Sequence, residues 1–299
     1  VPELPFLEIL AENLAPVVSG RRIDEIQILQ PALLQRANPP PESFAGEYLS
    51  LPMRIGKYLV LETESRRVIV LHLMRAGRLV AQPAPEDGPA KAAVAGSGRG
   101  PLRLPKHVSA RLVFDDSSEL RLVEHGTEKR ARLWLAEDRD EVPELRAIGP
   151  DPSRGELTAE RFRAAIRADS RQLKSWLTDQ RAISGIGNGL SDEILYEARL
   201  SPLQLTSNLD GGEEERVRAA IGAVVERQVG LLRASAAGAL PQKEPVEHYV
   251  VHDHRGDPCP RCGATIAWVR YADHDLFYCP GCQTGGKPLK DRRLSKLLK

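Results

Sequence analysis

The stretch SGIGNGLSDEIL, residues 184–195, sets Gly185, Gly187 and Gly189 around Asn188 between two segments of helical periodicity. Glycines at alternate positions let backbone N–H groups approach an anion closely, and the helix that follows adds the positive end of its dipole. The segment therefore predicts a phosphate-binding turn. Taken alone it also reads as an ordinary helix-to-helix turn. Working outward, Thr158 predicts the cap of a helix containing Phe162 and Ile166, and Leu173, Trp176 and Leu177 repeat the period. On the other side Ser191 predicts the cap of a helix around Ile194, Leu195 and Ala198. Val217, Ile221, Val224, Val225 and Leu232 mark a long last helix. This half of the chain is helical.

The other half has a different period. Leu7, Leu10, Leu14 and Val17 or Val18 recur at helical spacing ahead of Gly20, so residues 4–19 predict one amphipathic helix. β-rich runs follow at Tyr58 to Glu62, Val68 to Leu73, Ala110 to Phe114, Glu119 to Val123 and Arg132 to Leu135, with turn residues between them. They predict a β-sandwich, interrupted by a Pro/Gly/Ala-rich loop over residues 81–105. The Pro/Gly-bearing stretch from Ile148 to Gly155 separates the two halves, and no internal repeat is present. The fold class is α+β. The expected domains are residues 1–147 (β-sandwich with an N-terminal helix), 156–247 (helical), 250–285 (metal finger) and 286–299 (basic tail).

Composition bounds the function. With 41% apolar and 28% charged residues in 299, the chain is an ordinary globular protein, which excludes disorder and fibre classes. No run of eighteen apolar residues occurs, and the start has neither a basic leader nor a small-residue cleavage site, so the expected location is cytoplasmic. The 42 basic and 41 acidic side chains nearly cancel, but from Lys287 to Lys299 six basic residues face only Asp291. This cationic tail suits an acidic partner, and it equally reads as a solvated terminus.

All four cysteines lie in Cys259-Pro-Arg-Cys262 and Cys279-Pro-Gly-Cys282, with sixteen residues between the pairs. Two C-x2-C pairs at this distance place four thiolates around Zn²⁺. Four thiolates leave no open position for water, so the expected role is structural, with His252 and His254 as bystanders. A small zinc-held hairpin buries little core, so its expected use is to present Arg255, Arg261 and Arg270 outward.

The chain opens VPELPFLEIL, residues 1–10, with prolines at 2 and 5 ahead of the first helix. This start, a β domain, Arg54-Ile-Gly-Lys57-Tyr58, His72-Leu73, Lys174-Ser-Trp-Leu177, Gly185-Ile-Gly-Asn188 with Asp192-Glu193, and a finger ending Tyr278-Cys279 and Cys282-Gln283 occur in that order. Together they resemble the formamidopyrimidine-DNA glycosylase/endonuclease VIII family over essentially the whole chain. The resemblance implies a helix–two-turns–helix domain, one structural zinc ion, a monomer in the bacterial cytoplasm, and duplex DNA carrying damaged bases or abasic sites as partner. It implies a bifunctional glycosylase and abasic-site lyase in which the α-amine of Pro2 attacks C1′ and forms a Schiff base. An α-amine has a reference pKa of about 8, so roughly a tenth is unprotonated at neutral pH, some hundredfold more than for lysine. Glu3 would be the general acid/base and Lys57 would assist at the sugar or phosphate. Lys174, Asn188 and the amides of Gly185 and Gly187 would grip phosphates around the flipped nucleotide.

Departures concern the start and the substrate. Val1 makes the Pro2 nitrogen an amide unless it is a translated GTG start, in which case removal of the first residue frees the amine. Phe6 stands where the family carries Glu. His72-Leu-Met-Arg-Ala-Gly77 replaces His-Leu-Gly-Met, so Met74 or Arg75 is expected to fill the gap left by the flipped base. Glu124 to Ala131 lacks the usual Arg-Arg-Phe, and His274 replaces the usual finger arginine. The lesion is therefore expected to differ from 8-oxoguanine. The competing expectations are an inactive reader of distorted duplex on the same scaffold and an RNA-binding zinc-finger protein.

Overall fold

The computed structural model of the chain describes residues 1–84, 106–126, 129–270 and 275–289. Most of the loop expected at 81–105, Thr127, Glu128, His274 and the tail beyond residue 289 lie outside the described residues. Two compact units are present. One comprises Val1–Pro2, Phe6–Arg146 and Ala236–Lys243, the other Glu3–Pro5, Ala147–Ser235 and Glu244–Lys299.

Among the described residues, the first unit holds most of helix α1 (Leu4–Val18) and nine strands. These are β1 (Ile23–Ile28), β2 (Leu34–Asn38), β3 (Met53–Ile55), β4 (Tyr58–Glu62), β5 (Val68–His72), β6 (Gly77–Gln82), β7 (Val108–Phe114), β8 (Glu119–Glu124) and β9 (Arg132–Ala136). They form a four-stranded sheet, β1-β7-β8-β6, and a five-stranded sheet, β2-β9-β5-β4-β3, with β2 parallel to β9 and every other pairing antiparallel. Ile26, Leu79, Leu112 and Leu122 of the first sheet and Leu61, Ile69, Leu71 and Leu133 of the second line one apolar cavity, so the two sheets pack face to face as a sandwich.

The opposite face of the five-stranded sheet is covered too. Val60, Val68, Val70 and Trp134 pack with Val142 and with Leu145 of the short helix α2 (Pro143–Arg146). Burial on both faces makes β4 and β5 continuous apolar runs, the pattern that identifies them in the sequence. β1 carries no such signal. Its buried residues Ile23 and Ile26 are three apart, and a register shift between Ile23 and Glu25 brings both to the core side.

The second unit contains α3 (Ala159–Arg167), α4 (Leu173–Thr178), α5 (Asn188–Ala198) and α6 (Gly211–Ala236), then the ribbon β10 (Ala267–Arg270) and β11 (Asp275–Tyr278) and the turn of helix α7 (Pro280–Gln283). Thr158 caps α3 as expected, its Oγ1 accepting from Arg161 N at 3.2 Å. Phe162, Trp176, Ile186, Leu190, Ile194 and Val224 form one core with Leu4. Ser191 does not cap α5, which starts three residues earlier. Its hydroxyl donates to the Asn188 carbonyl inside the first turn, because another group satisfies the helix start.

Candidate active site

That group is the carboxylate of Glu3, 184 residues away in the chain. Its two oxygens accept from Gly187 N at 2.7 Å, Gly189 N at 2.8 Å and Leu190 N at 3.1 Å. The first turn of a helix leaves four N–H groups without partners, and a carboxylate is the anion that its dipole favours there. Glu3 is 4% exposed. Its backbone is held as well: Glu3 N donates to Glu244 Oε1 at 2.7 Å and Leu4 N to Gly185 O at 2.9 Å. Gly185 has φ +80°, and a Cβ there would stand 2.8 Å from Leu4 Cβ, so a side chain would push the N-terminal turn off its seat.

The glycine turn does bind an anion, but the anion is internal. Gly187 N is taken by Glu3 and Gly185 N by Gln180 Oε1 at 2.9 Å; these are the two amides expected to hold phosphate. Lys174 is engaged likewise. It is 4% exposed, and its Nζ lies 2.5 Å from Asp192 Oδ1 and 3.1 Å from both the Asn188 carbonyl and Ser191 Oγ. A lysine so engaged braces the first turn of α5. Asn188 is half-buried, with Nδ2 donating to Asp275 O at 2.8 Å and Oδ1 without a hydrogen-bond partner among the described residues.

Beside the Glu3 cradle stand Tyr249 and His252. A Cβ on Gly189 would lie 3.1 Å from the Tyr249 hydroxyl and 3.2 Å from His252 Cδ2, so the missing side chain admits both rings. Burial pushes the Tyr249 phenol well above its usual range, reinforced by the carboxylates of Glu244 and Glu3. None of these residues carries a spacing or motif that marks it in the sequence.

Within the first unit, Lys57 follows Gly56 (φ +56°) in the turn joining β3 to β4. Arg54, fully buried, fixes that turn: its Nε donates to Glu8 Oε2 at 2.6 Å and its Nη1 to Gly56 O at 3.1 Å. His72, at the end of β5, has its pKa lowered to about 4, chiefly by burial and then by the positive charges of Lys57, Arg132 and the amino terminus. The neutral ring accepts from Met74 N through Nδ1 at 3.2 Å. Met74 has φ +51°, and Gly77 N closes the turn on Leu73 O at 2.9 Å. Arg75 is exposed at its tip and Met74 half-buried.

The four cysteine sulfurs lie within 4.8 Å of one another. A tetrahedron of Zn–S bonds of about 2.3 Å has edges of about 3.8 Å. The Cys259–Cys282 separation is 3.8 Å and that of Cys262–Cys279 is 3.4 Å, so the donor set fits zinc. His252 and His254 bond instead to Asp192 and Asp257. Of the arginines expected to face outward, Arg255 is exposed over the Trp268 ring at 4.4 Å and Arg270 is mostly exposed, whereas Arg261 lies on the Tyr196 ring and donates to Tyr196 O at 2.9 Å.

Residues 1–127 match the formamidopyrimidine-DNA glycosylase N-terminal domain, 148–236 its H2TH domain, and 256–285 the zinc finger found in FPG and IleRS. The chain is 31% identical over 280 residues to a formamidopyrimidine-DNA glycosylase of Moorella thermoacetica, covering 90% of this chain and 95% of that protein. It is 38% identical over 162 residues to an uncharacterized formamidopyrimidine-DNA glycosylase-like protein of Mycobacterium tuberculosis, covering 53% of this chain and 98% of that one. Among solved structures, MutM in complex with DNA containing carbocyclic 8-oxo-G shares its fold at TM-score 0.79 and 23% identity, covering 95% of this chain and all of that one.

Proposed function

Because the chain belongs to the formamidopyrimidine-DNA glycosylase family, we propose that it removes damaged bases from duplex DNA and then cleaves the abasic site by elimination. The observation that carries this reading is the seating of Glu3: a carboxylate fixed by three N–H donors, directly following Pro2 in the chain. With residue 1 removed, the Pro2 nitrogen is a secondary amine. It attacks C1′, the glycosidic bond breaks and the base leaves with the electron pair, while Glu3 accepts the amine proton and returns it on opening of the sugar ring. The resulting Schiff base acidifies the C2′ proton, and its loss expels the 3′ phosphate. Lys57 supplies a cation for the sugar-phosphate, and Met74 or Arg75 fills the space of the extruded base. Cys259, Cys262, Cys279 and Cys282 would hold one zinc ion that supplies structure and no chemistry, and the protein acts as a cytoplasmic monomer on the duplex.

The test is borohydride trapping of the mature protein on a duplex carrying one abasic site, with the adduct mapped by peptide mass. An adduct on Pro2 supports the lyase. The second reading, an inactive reader of damaged DNA, rests on Val1, which acylates Pro2 in the sequence as it stands. Tight binding of abasic duplex without any adduct would establish it. For the finger, Cys279→Ser is expected to abolish DNA binding while leaving the melting of the β-sandwich in place; undiminished binding contradicts the zinc assignment.

A further inference from the structure

The second unit holds a pair of titratable groups that the reaction above does not use. Asp192 is fully buried on α5 and divides its two oxygens: Oδ1 to Lys174 Nζ at 2.5 Å and Oδ2 to His252 Nδ1 at 2.8 Å. Lys174 thus fixes the carboxylate, and the carboxylate fixes the ring and its tautomer, leaving Nε2 as the free edge. Among the described residues, Asp253 Oδ2 stands 3.9 Å from Nε2. The ring is held edgewise by Tyr249 at 5.3 Å and Phe277 at 5.1 Å between centroids, yet 14% of the side chain is accessible. It reaches the Glu3 cradle because residue 189 is glycine: His252 Cδ2 would lie 3.2 Å from a Cβ on the residue whose N–H holds Glu3 Oε1. An aspartate that orients one nitrogen of a ring that stays partly accessible beside a proposed catalytic carboxylate is the arrangement of a proton donor.

We propose that His252, oriented by Asp192, is a further catalytic residue, the general acid that protonates the departing base. The inference rests on the glycosylase reading given above. As the Pro2 nitrogen bonds to C1′, the C1′–N bond breaks and its electron pair stays on the base. The Nε2 proton of His252 passes to a ring nitrogen or exocyclic oxygen of that base, and the neutral imidazole regains a proton from water. The surroundings suit this role. Burial opposes the charged ring, but Asp192, Asp253 and Glu3 favour it, and the balance raises the pKa above the ordinary value of histidine. Asp192 and Gly189 face the ring from α5, Asp253 and Tyr249 from its own segment, Glu3 from the N-terminal turn and the uncharged Phe277 from β11. Lys174 acts through Asp192.

The step divides the two activities, because a preformed abasic site has no base to protonate. Single-turnover excision is measured on duplexes carrying formamidopyrimidine-guanine, 8-oxoguanine, thymine glycol or 5-hydroxycytosine, and nicking on an abasic duplex, both from pH 5.5 to 9. His252→Phe keeps the packing against Tyr249 and Phe277. It is expected to lower excision about 100-fold and to abolish its decline at high pH, with nicking within twofold of wild type. Asp192→Asn is expected to shift that decline to lower pH. Excision within twofold and an unchanged pH profile in His252→Phe, or equal loss of excision and nicking, overturns the proposal. Wild-type protein that excises none of the four lesions and forms no adduct on Pro2 overturns the glycosylase reading beneath it.

Discussion

His72 and His252, one in each unit, meet opposite fields. His72 ends a strand next to Lys57, Arg132 and the amino terminus, and burial with those charges keeps its ring neutral. His252 is also largely buried, which opposes its charge, but Asp192, Asp253 and Glu3 favour the charged form and the balance raises its pKa. The same side chain is thus an acceptor in one unit, taking the Met74 N–H, and a potential donor in the other. The cations of the first unit suit a sugar-phosphate, whereas the carboxylates and imidazole of the second suit proton traffic. Burial lowers the pKa of both rings, so what separates the two histidines is the sign of their charged neighbours.

The largest expected effect breaks the acidic side. Glu3→Gln keeps the volume but turns one oxygen into an NH2 facing backbone donors, and single-turnover excision is expected to fall at least about 1,000-fold. Thermal melting should reveal a loss of about 1–3 kcal/mol from the unsatisfied amides. On the cationic side, Lys57→Ala is expected to weaken binding of abasic duplex about tenfold and to reduce the slope of log K against log salt by about one, the signature of one lost phosphate contact. An unchanged slope would mean that Lys57 touches no phosphate.

The contrast also has a pH signature. The folded pKa of His72, about 4, lies below its unfolded value of about 6.5, so the unfolded chain binds more protons between these limits. Its contribution is present above pH 6.5 and is lost as pH falls toward 4, about 3 kcal/mol in all. His252 has the opposite sign: its contribution is present below 6.5 and lost as pH rises through the raised folded value. Denaturant melts of His72→Phe should show a flatter stability curve between pH 6.5 and 4; an unaltered curve would assign the acid sensitivity elsewhere. The smallest effect tests the approach of the rings to the cradle. Gly189→Ala puts a methyl 3.1 Å from the Tyr249 hydroxyl and 3.2 Å from His252, and a loss of about 1 kcal/mol is expected by thermal melting.

Much of the fold was legible where local physics decides it. The two C-x2-C pairs announced the finger, Thr158 its helix, and doubly buried β4 and β5 their strands. β3 escaped because three residues are too few to establish a period, and β1 because its register shift breaks the period of two. At the site, the anion-binding turn was legible in kind, but the internal carboxylate that occupies it was not. The buried partners of Lys174 were hidden as well, because charge is visible in a sequence and burial is not.

The sequence by itself determined the main helices, five strands of the sandwich (β4, β5, β7, β8 and β9) and the finger, that four thiolates meet, and that the chain belongs with its family, since spacing and periodicity act over a few residues. Only the tertiary structure decided that Glu3 occupies the amides of a helix starting at Asn188, that Asp192 links Lys174 to His252, and that the two histidines carry opposite tendencies. Hydrogen-bond partners and local fields depend on residues brought together from distant parts of the chain, and no local pattern records them.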